Sequence, residues 1–282
     1  MSNLREYAKK LYHLLKMRLF SGATFKIYMR VNFQQLDKNA LRVKLISDFF
    51  ATELEPVEVQ APFGDSILII APHQDDEVIG CGGALLAQLD AGKKVSILFV
   101  CDGGNEFRSL GYTRRDDLVQ HREAESLRVA EDLGVEDITF LRLTDLENQK
   151  DNVASLIALE IERRDPAHIF TPFFLDGHPE HQIVTHALSM ALKRVEREVF
   201  INCYEVWGNC IPNIILNIDQ YMKKKKELIS FYESQCDATD YVNTTMGRNM
   251  YNARLIGKRC RYAERYFQAP KNTFIDIAEI IK

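Results

Sequence analysis

The sequence predicts an α/β fold in which a doubly wound, mostly parallel sheet carries helices on both faces. Short apolar runs, such as residues 67–70, alternate along the chain with longer segments of helical periodicity. Strands separated by helices need crossover connections, and these connections produce parallel pairing in a layered sheet. The length of 282 residues, with 46% apolar and 27% charged residues, is sufficient for one large α/β domain with an appendage.

The strands are indicated by apolar runs that are too short for helices. The run at 67–70 consists only of isoleucine and leucine, which is typical of a strand buried on both faces. Pro62 and Gly64 mark the turn that leads into it. In chain order, the pattern predicts strands at 67–70, 95–100, 138–141, 168–171 and 200–206.

The helices fill the intervals between these strands. Gly92 ends the first helix, and Gly134 stands where the second needs a left-handed residue to end it. The lysine run at 223–226 lies in a further helical stretch, where we expect a solvated helix face. The pattern predicts helices at 82–91, 115–133 and 153–164, and one from the loop at 172–179 to about 195.

Residues 1–62 are predicted to form a basic, helical N-terminal extension, and residues 63–282 the main domain. Residues 1–50 contain ten Lys or Arg residues against three acidic ones, an excess of seven positive charges. Leucines recur at helical spacing between Leu4 and Leu19. We expect this apolar stripe to pack on the main domain or on a second subunit of a homo-oligomer. The alternative is that residues 1–20 lie on an anionic membrane surface.

Cysteine content and net charge restrict the compartment and the partners. None of the six cysteines forms a CxxC pair, which favours a reducing compartment over a disulfide framework. The chain has no apolar run of transmembrane length and no hydrophobic signal core at its start. We therefore expect a cytoplasmic protein. The net charge of −4 gives no reason to expect a nucleic-acid partner.

A histidine and three consecutive acids directly follow the first strand: His73, Asp75, Asp76 and Glu77. Adjacent carboxylates repel one another unless a cation or a helix N-terminus offsets their charge. In a doubly wound sheet, ligands bind beyond the carboxyl ends of the strands, which is where these residues lie. The pattern indicates a divalent-metal site.

A second polar group, at 176–181, follows the fourth strand and contains His178, Glu180 and His181. A site made of His73, one aspartate, and either His178 or His181 has two imidazoles, one carboxylate and a position for water. This is the ligand set of a catalytic zinc ion, which lowers the pKa of bound water. The remaining carboxylate can then act as general base. The remaining histidine can stabilise an oxyanion or protonate a leaving amine.

These motifs resemble those of the PIG-L (LmbE-like) family of zinc-dependent N-acetylglucosamine deacetylases. The resemblance rests on Ala-Pro-His-Gln-Asp-Asp-Glu at 71–77, Gly-Cys-Gly-Gly at 80–83 and His-Pro-Glu-His at 178–181. Weaker similarity extends to about residue 268. The resemblance implies a Rossmann-like fold, one Zn²⁺ per chain, and hydrolysis of an acetamide on an amino sugar or its conjugate.

The resemblance also implies roles for individual residues. The three implied zinc ligands are His73, Asp76 and His181. The implied general base and oxyanion stabiliser are Asp75 and His178. Two residues match family positions near the substrate, Arg122 and Asp145, and two further acids are expected behind the site, Glu77 and Glu180.

The sequence departs from the family pattern at two positions. Gln74 replaces a proline, and this leaves the metal ligands unaffected. Glu180 replaces the aspartate of a His-Pro-Asp-His motif, and its extra methylene changes its reach to His178. The leading hypothesis is therefore a zinc-dependent deacetylase of an N-acetylglucosamine-type sugar. The alternative is a metal- and sugar-binding protein with weakened catalysis. In either case, we expect the loops at 104–114 and 207–213 to set selectivity.

Overall fold

Strands and helices alternate along the chain as the apolar pattern predicts. The computed structural model describes residues 56–281, so the predicted helix at 1–20 lies outside the described residues. The strands are β1 (Val57–Val59), β2 (Ser66–Ala71), β3 (Lys94–Cys101), β4 (Asp137–Leu143), β5 (His168–Pro172), β6 (Phe200–Tyr204), β7 (Ile214–Asn217) and β8 (Ala263–Pro270). The α-helices are α1 (Asp76–Asp90), α2 (Arg115–Leu133), α3 (Lys150–Arg164), α4 (Pro179–Leu192), α5 (Met222–Ser230), α6 (Glu233–Cys236), α7 (Tyr241–Ala253) and α8 (Lys271–Ile281). No helix within residues 56–281 has the length and apolar character needed to cross a membrane.

The eight described strands form one sheet in the order β1-β7-β8-β6-β5-β2-β3-β4. Strands β2 to β6 pair in parallel, and β1 is parallel to β7. Strand β8 is antiparallel to both of its neighbours, β6 and β7. The predicted α/β fold with a mostly parallel sheet is thereby confirmed.

The topology places a crevice at the carboxyl ends of β2 and β5. From β2 the chain runs outwards through β3 and β4, and it then returns to β5 on the other side of β2. Ligands of doubly wound sheets bind at such a reversal of strand order. The residues that follow these two strands are those of the two polar motifs at 73–77 and 176–181.

Both faces of the sheet are covered, as the continuous apolar run of β2 predicts. Leu68 and Ile70 belong to one buried cluster, and Ile67 and Ile69 belong to another. Successive side chains of a strand point to opposite faces, so the two clusters lie on opposite sides of the sheet. Strand β2, whose end carries the first polar motif, is therefore held in place by packing on both of its faces.

Strands β1, β7 and β8 are not predicted by the apolar pattern. β1 and β7 are short, and β8 carries Glu264 and Arg265, which are buried because each has an oppositely charged partner. Strand β1 pairs with β7 and lies before the predicted domain boundary at 62/63. That boundary stays a prediction.

Helix α1 begins well before its predicted start at 82, and a break at Cys81 divides it. Cys81 has φ −142° and ψ 25°, outside the helical region. The N–H groups of Gly83 and Ala84, which lose helical partners at the break, donate to the Glu264 carboxylate at 2.7 and 2.9 Å. A carboxylate at this second helix start is favoured by the local dipole.

The glycines of the motif at 80–83 permit close packing around this break. A Cβ atom on Gly80 would lie 2.2 Å from the ring of Tyr204, and one on Gly83 would lie 2.4 Å from Ile218 Cγ2. Both distances are far shorter than non-bonded carbon atoms can approach, so a larger residue at either position would force the neighbouring side chains to move. The glycines thus serve the packing of α1, which carries the acids of the first motif at its N-terminus.

The expectation of a solvated face for the lysine run at 223–226 is wrong for Lys225. This side chain is fully buried, and its Nζ donates to Glu264 at 2.6 Å and to the carbonyl of Ile79 at 3.0 Å. The break in α1 supplies the physical reason, because it leaves a carbonyl unpaired and places a carboxylate nearby. A buried ammonium satisfies both groups.

Candidate active site

The two polar motifs meet at the crevice beyond β2 and β5. His73 and Asp76 follow β2, and His181 lies in the first turn of α4. His73 Nδ1 lies 3.2 Å from His181 Nε2; Asp76 Oδ2 lies 3.4 Å from that His73 atom and 3.2 Å from that His181 atom. The side chains of His73, Asp76 and His181 are 13%, 3% and 0% exposed. The structure thus brings together the three implied zinc ligands.

The spacing of these three atoms fits a tetrahedral metal ion. Zinc with nitrogen and oxygen ligands at about 2.0–2.2 Å holds those ligands about 3.3–3.6 Å apart. The observed separations of 3.2–3.4 Å are close to this range. Two other sets offer ligand atoms within 4.8 Å of one another, His73 with His178 and His181, and His73 with Cys101 and Glu180. The set that contains Asp76 is favoured because its three measured separations agree with those around a tetrahedral ion.

Without a metal, protons and ion pairs hold this cluster together. Burial opposes ionisation of Asp76, yet the charges and hydrogen bonds of His181 and His73 keep the pKa of Asp76 below its ordinary value. Burial likewise disfavours the charged form of His181, but Asp76 and Asp176 raise the pKa of His181 to about 9. A metal ion must displace the proton from His181, so metal and proton compete for this site.

Asp176 supports the site from behind, although the sequence reasoning assigned it no role. Its Oδ1 lies 3.0 Å from His181 Nδ1 and accepts the N–H of His178 at 3.0 Å. Its Oδ2 accepts the N–H groups of Trp207 and Gly208 at 2.9 and 3.1 Å. A carboxylate behind a ligating histidine fixes its tautomer and ring orientation. Asp176 therefore positions His181 and joins two loops at the crevice.

Glu180 contacts His73 rather than the side chain of His178. Its Oε2 lies 2.7 Å from His73 Nε2, and its Oε1 accepts from Asn105 Nδ2 at 3.2 Å. The hydrogen bond from His73 lowers the pKa of Glu180, although burial opposes this shift. With Nε2 of His73 bonded to Glu180, its Nδ1 remains available on the side of Asp76 and His181. The longer side chain of Glu180 thus orients an implied ligand.

Asp75 lines the crevice beside the three implied ligands in a strained conformation. Its φ of 126° is rare for a residue with a side chain, and such strain is common at functional sites. Burial raises the pKa of Asp75 to about 7, against the opposing charge of Arg122, whose Nη2 lies 3.6 Å from Asp75 Oδ1. A carboxylate with a pKa near neutrality is suited to proton transfer.

Glu77 lies beneath Asp75 and outside the crevice. Its Oε2 accepts the N–H of Asp75 at 3.1 Å, and its Oε1 accepts a short hydrogen bond from the Tyr232 hydroxyl. Burial raises the pKa of Glu77 to about 8. Glu77 therefore holds the turn that presents Asp75, and it has no access to a bound molecule.

His178 caps the N-terminus of α4, and this fixes its tautomer. Its Nδ1 accepts the N–H of Glu180 at 3.2 Å, so in the neutral ring the proton is on Nε2. Burial and the nearby charges of His73 and His181 lower the pKa of His178. A neutral imidazole with a fixed Nε2–H at the crevice can donate a hydrogen bond to an oxygen that becomes negative.

Five of these residues, His73, Asp75, Asp76, His178 and Glu180, line a cavity of about 370 Å³. Asn105 and Glu106 from the loop predicted at 104–114 contribute to its wall, and so does Trp207 from the loop predicted at 207–213. Its full lining is His73, Asp75, Asp76, Ile79, Gly103, Asn105, Glu106, Arg122, His178, Pro179, Glu180, Val206, Trp207, Gln235 and Tyr241. The volume suits a small molecule or the end of a larger conjugate.

The two residues expected near the substrate have different positions. Arg122 lines the cavity, as the resemblance implies. Asp145 does not line it: it is an exposed turn residue with φ 50°, and its carboxylate accepts from Asn148 Nδ2 at 2.9 and 3.0 Å. The conformation and local hydrogen bonds of Asp145 account for its residue type without a ligand.

Several lining residues carried no signal that a single sequence reveals. Gln235 and Tyr241 come from α6 and α7, far along the chain from either motif, and only the fold brings them to the cavity. Asp176 was detectable in principle, because it begins the polar group at 176–181. An acid that precedes two histidines at a strand end is a reasonable partner for one of them.

Residues 68–192 match the sequence profile of the PIG-L family, which is described as GlcNAc-PI de-N-acetylase. A Bacillus cereus protein described as a probable N-acetyl-α-D-glucosaminyl L-malate deacetylase 2 is 27% identical over 189 residues, covering 61% of this chain and 84% of that protein. The diacetylchitobiose deacetylase of Thermococcus kodakarensis is 29% identical over 201 residues, covering 63% of this chain and 73% of that protein.

A solved structure shows the same fold. The N,N′-diacetylchitobiose deacetylase from Pyrococcus horikoshii has a TM-score of 0.66 to this chain at 23% identity. The match covers 86% of this chain and 97% of that chain.

Proposed function

We propose, from the match of residues 68–192 to the PIG-L family profile and from the site geometry, that the chain is a zinc-dependent hydrolase of N-acetylated amino sugars. The relatives named above are deacetylases of N-acetylglucosamine-type compounds. The observation that carries the proposal is the triangle of His73, Asp76 and His181 atoms, 3.2–3.4 Å apart, of which His73 and Asp76 line the cavity.

The metal would be held by His73, Asp76 and His181, one ion per chain. When bound, zinc acts as a Lewis acid that activates water and polarises an acetamide carbonyl. Glu180 and Asp176 orient the two histidines from behind, so that one nitrogen of each faces Asp76. The protein would therefore supply three ligands and leave the fourth coordination position, on the cavity side, for water or substrate.

Asp75 is the proposed general base. It accepts a proton from the attacking water while the oxygen of that water bonds to the acetamide carbon. The carbon–nitrogen bond then breaks, and Asp75 returns the proton to the leaving amine, so that one water and one amide become acetic acid and a free amino sugar. The acid then ionises to acetate and gives its proton to solvent. Arg122, 3.6 Å from Asp75, keeps the carboxylate from becoming too weak an acid, because its charge opposes the effect of burial.

His178 is the proposed donor to the carbonyl oxygen as negative charge develops there. Its Nδ1 is occupied by the N–H of Glu180, so its Nε2–H is the free donor at the cavity wall. Neutral donors already in position need no reorganisation during the reaction. The Glu180 substitution leaves this geometry intact, since the side chain of Glu180 is engaged with His73.

Metal analysis combined with acetate release tests this proposal. We expect about one zinc per chain, acetate release from an N-acetylglucosaminide, and a loss of about 10²–10⁴-fold in kcat for Asp75→Asn with zinc retained. Asp145→Asn is the matched control: it removes the same charge from an exposed turn outside the cavity and should leave kcat unchanged.

Two results would contradict the proposal. One is a protein without stoichiometric zinc, and the other is an Asp75→Asn variant with the wild-type rate. Zinc and sugar binding without acetate release from any amino sugar would instead support the binding-protein alternative. That alternative was motivated by Glu180, whose observed contact with His73 supplies no mechanism for lost catalysis.

Compartment and assembly extend the proposal beyond the site. The partner is an amino-sugar small molecule or glycoconjugate, as for the relatives. The described cysteines are all free, which agrees with the cytoplasmic location that we propose from their pattern. Homo-oligomer formation and membrane contact through residues 1–20 stay predictions.

A further inference from the structure

The cavity wall combines acidic groups with a single guanidinium. Its carboxylates are Asp75, Asp76, Glu106 and Glu180, and among the described lining residues Arg122 is the only Lys or Arg. One zinc ion would add two positive charges, which leaves the wall and the ion together with an excess of negative charge. This charge balance disfavours a negatively charged group on a bound molecule.

Arg122 is already committed to the protein. It is 7% exposed, and its Nη1 and Nη2 donate to the carbonyls of Gly103 and Gln74 at 3.3 and 2.7 Å. Its remaining contact is the carboxylate of Asp75 at 3.6 Å. These contacts hold Arg122 at the cavity wall through both terminal nitrogens, and only its buried Nε has no hydrogen-bond partner among the described residues. Nη1 and Nη2 are therefore not free to form a bidentate pair with a carboxylate or phosphate on the substrate.

The neighbouring arginines are likewise engaged. Arg115 forms two hydrogen bonds with the carboxylate of Asp102, and Arg248 donates to the carbonyl of Val206. Glu106, by contrast, is exposed at the cavity wall, and its carboxylate has no ion pair with any residue within 56–281. Glu106 therefore places an exposed negative charge, unpaired among the described residues, on the cavity wall.

An aromatic pair forms another part of the wall. Trp207 is 52% exposed, and its ring lies 6.1 Å from that of Tyr241 at an angle of 84°. A pyranose ring places weakly positive C–H groups on its faces, and these are attracted to the negative face of an indole. A large exposed tryptophan at a polar cavity is suited to a sugar ring and gives no advantage to a small anionic group.

We propose that the group attached to the deacetylated sugar is an uncharged or amine-bearing saccharide that stacks on Trp207, and that Glu106 disfavours carboxylate- or phosphate-bearing conjugates. This inference rests on the proposed function, and it divides the substrates of the relatives, which include both a malate conjugate and a neutral disaccharide. The acidic wall supplies the discrimination, and the aromatic pair supplies the affinity.

A matched pair of substrates tests the charge discrimination. The N-acetyl-β-D-glucosaminides of glycolic acid and of glycolamide have nearly the same shape and differ by one negative charge. With the full, zinc-loaded chain, kcat/KM for acetate release should be about tenfold lower for the acid than for the amide. Glu106→Lys should remove most of this ratio. Glu131→Lys makes the same charge change on α2, away from the cavity, and should preserve the ratio.

The stacking contact has its own test with N,N′-diacetylchitobiose. Trp207→Ala should raise KM about tenfold with a smaller effect on kcat, and Trp207→Phe should restore most of the loss. Tyr251→Ala is the control, because Tyr251 is a similarly exposed aromatic residue (59%) that does not line the cavity.

The outcomes separate this inference from the proposed function. Equal or faster hydrolysis of the acid, or a ratio that Glu106→Lys leaves unchanged, overturns the inference while the deacetylase function stands. If neither these compounds nor any other N-acetylated amino sugar releases acetate, the deacetylase function fails. Calorimetric titration of the zinc-loaded Asp75→Asn protein with the same two compounds then decides the inference, which is overturned if the acid binds as tightly as the amide.

Discussion

Asp176→Asn is the most informative substitution behind the site, because it keeps the shape of the side chain while it removes the charge and one acceptor oxygen. Asp176 accepts N–H groups from His178, Trp207 and Gly208 and lies 3.0 Å from His181 Nδ1. When His181 Nε2 faces a metal, its Nδ1 carries the proton. Every neighbour of both carboxylate oxygens is then a donor.

An asparagine cannot satisfy this environment in either orientation. With its oxygen toward Trp207 and Gly208, its NH₂ group faces the N–H of His178 and Nδ1–H of His181, so the hydrogen bond from His178 and the 3.0 Å ion-pair contact with His181 are both lost. At roughly 1–2 kcal/mol each, the free energy of unfolding should fall by about 2–4 kcal/mol. Loss of the carboxylate behind His181 should also weaken zinc binding by about 10–100-fold.

Chelator-competition titration of zinc and thermal unfolding of the zinc-free protein measure the two effects separately. Asp145→Asn is again the matched control, since its carboxylate is exposed and bonds only to Asn148 among the described residues. A zinc affinity for Asp176→Asn within about twofold of wild type would refute the assignment of Asp176 as the support of His181.

Three further predictions concern the buried charges. Lys225→Met should lower the free energy of unfolding by about 3–5 kcal/mol in chemical denaturation, because Glu264 then stays buried without its cation; the exposed Lys223→Met should have little effect. The kcat of acetate release should fall as pH drops through about 7 or somewhat below, because Asp75 must be ionised to accept a proton and a metal charge lowers its pKa from the metal-free value of about 7; a rate unchanged down to pH 4 would exclude Asp75 as base. Zinc affinity should rise by at least about tenfold per pH unit below about 9, because binding displaces a proton from His181, and, despite burial, hydrogen bonds to Asp76 and Glu180 also raise the pKa of His73. A pH-independent affinity would contradict this competition.

The extent to which sequence predicts this structure depends on whether a residue's neighbours are close in the chain. Helix α2 agrees with its predicted bounds, because Gly134 with φ 68° ends it through a purely local conformational requirement. The strand predicted at 67–70 is likewise found, as β2, with one more residue at each end. Its signal is also local, because a continuous apolar run by itself favours a buried strand.

Long-range partners account for what the sequence could not reveal. Lys225 lies within the lysine run at 223–226, and only the break at Cys81 and the carboxylate of Glu264 explain its burial. Strand β8 has charged residues at core positions, so its pattern differs from that of β2. Asp145 illustrates the opposite case, in which a polar residue near a motif is explained by its own turn.

The candidate site also has features that the sequence predicts and features that only the fold reveals. His73, Asp75, Asp76, His178 and His181 occur in two short motifs at strand ends, and parallel topology alone predicts that such ends meet. The individual atoms involved depend on Glu180 and Asp176, whose contacts set which nitrogen of each histidine faces Asp76. Those contacts are three-dimensional facts with no counterpart in spacing.

Anomalous diffraction at the zinc edge from crystals of the zinc-loaded full chain tests the central claim most directly. We expect one strong peak per chain within about 2.0–2.2 Å of His73 Nδ1, Asp76 Oδ2 and His181 Nε2, with Asp75 and His178 outside the ligand set. A peak bound by His178, or by Cys101 and Glu180, in place of this set would contradict the account.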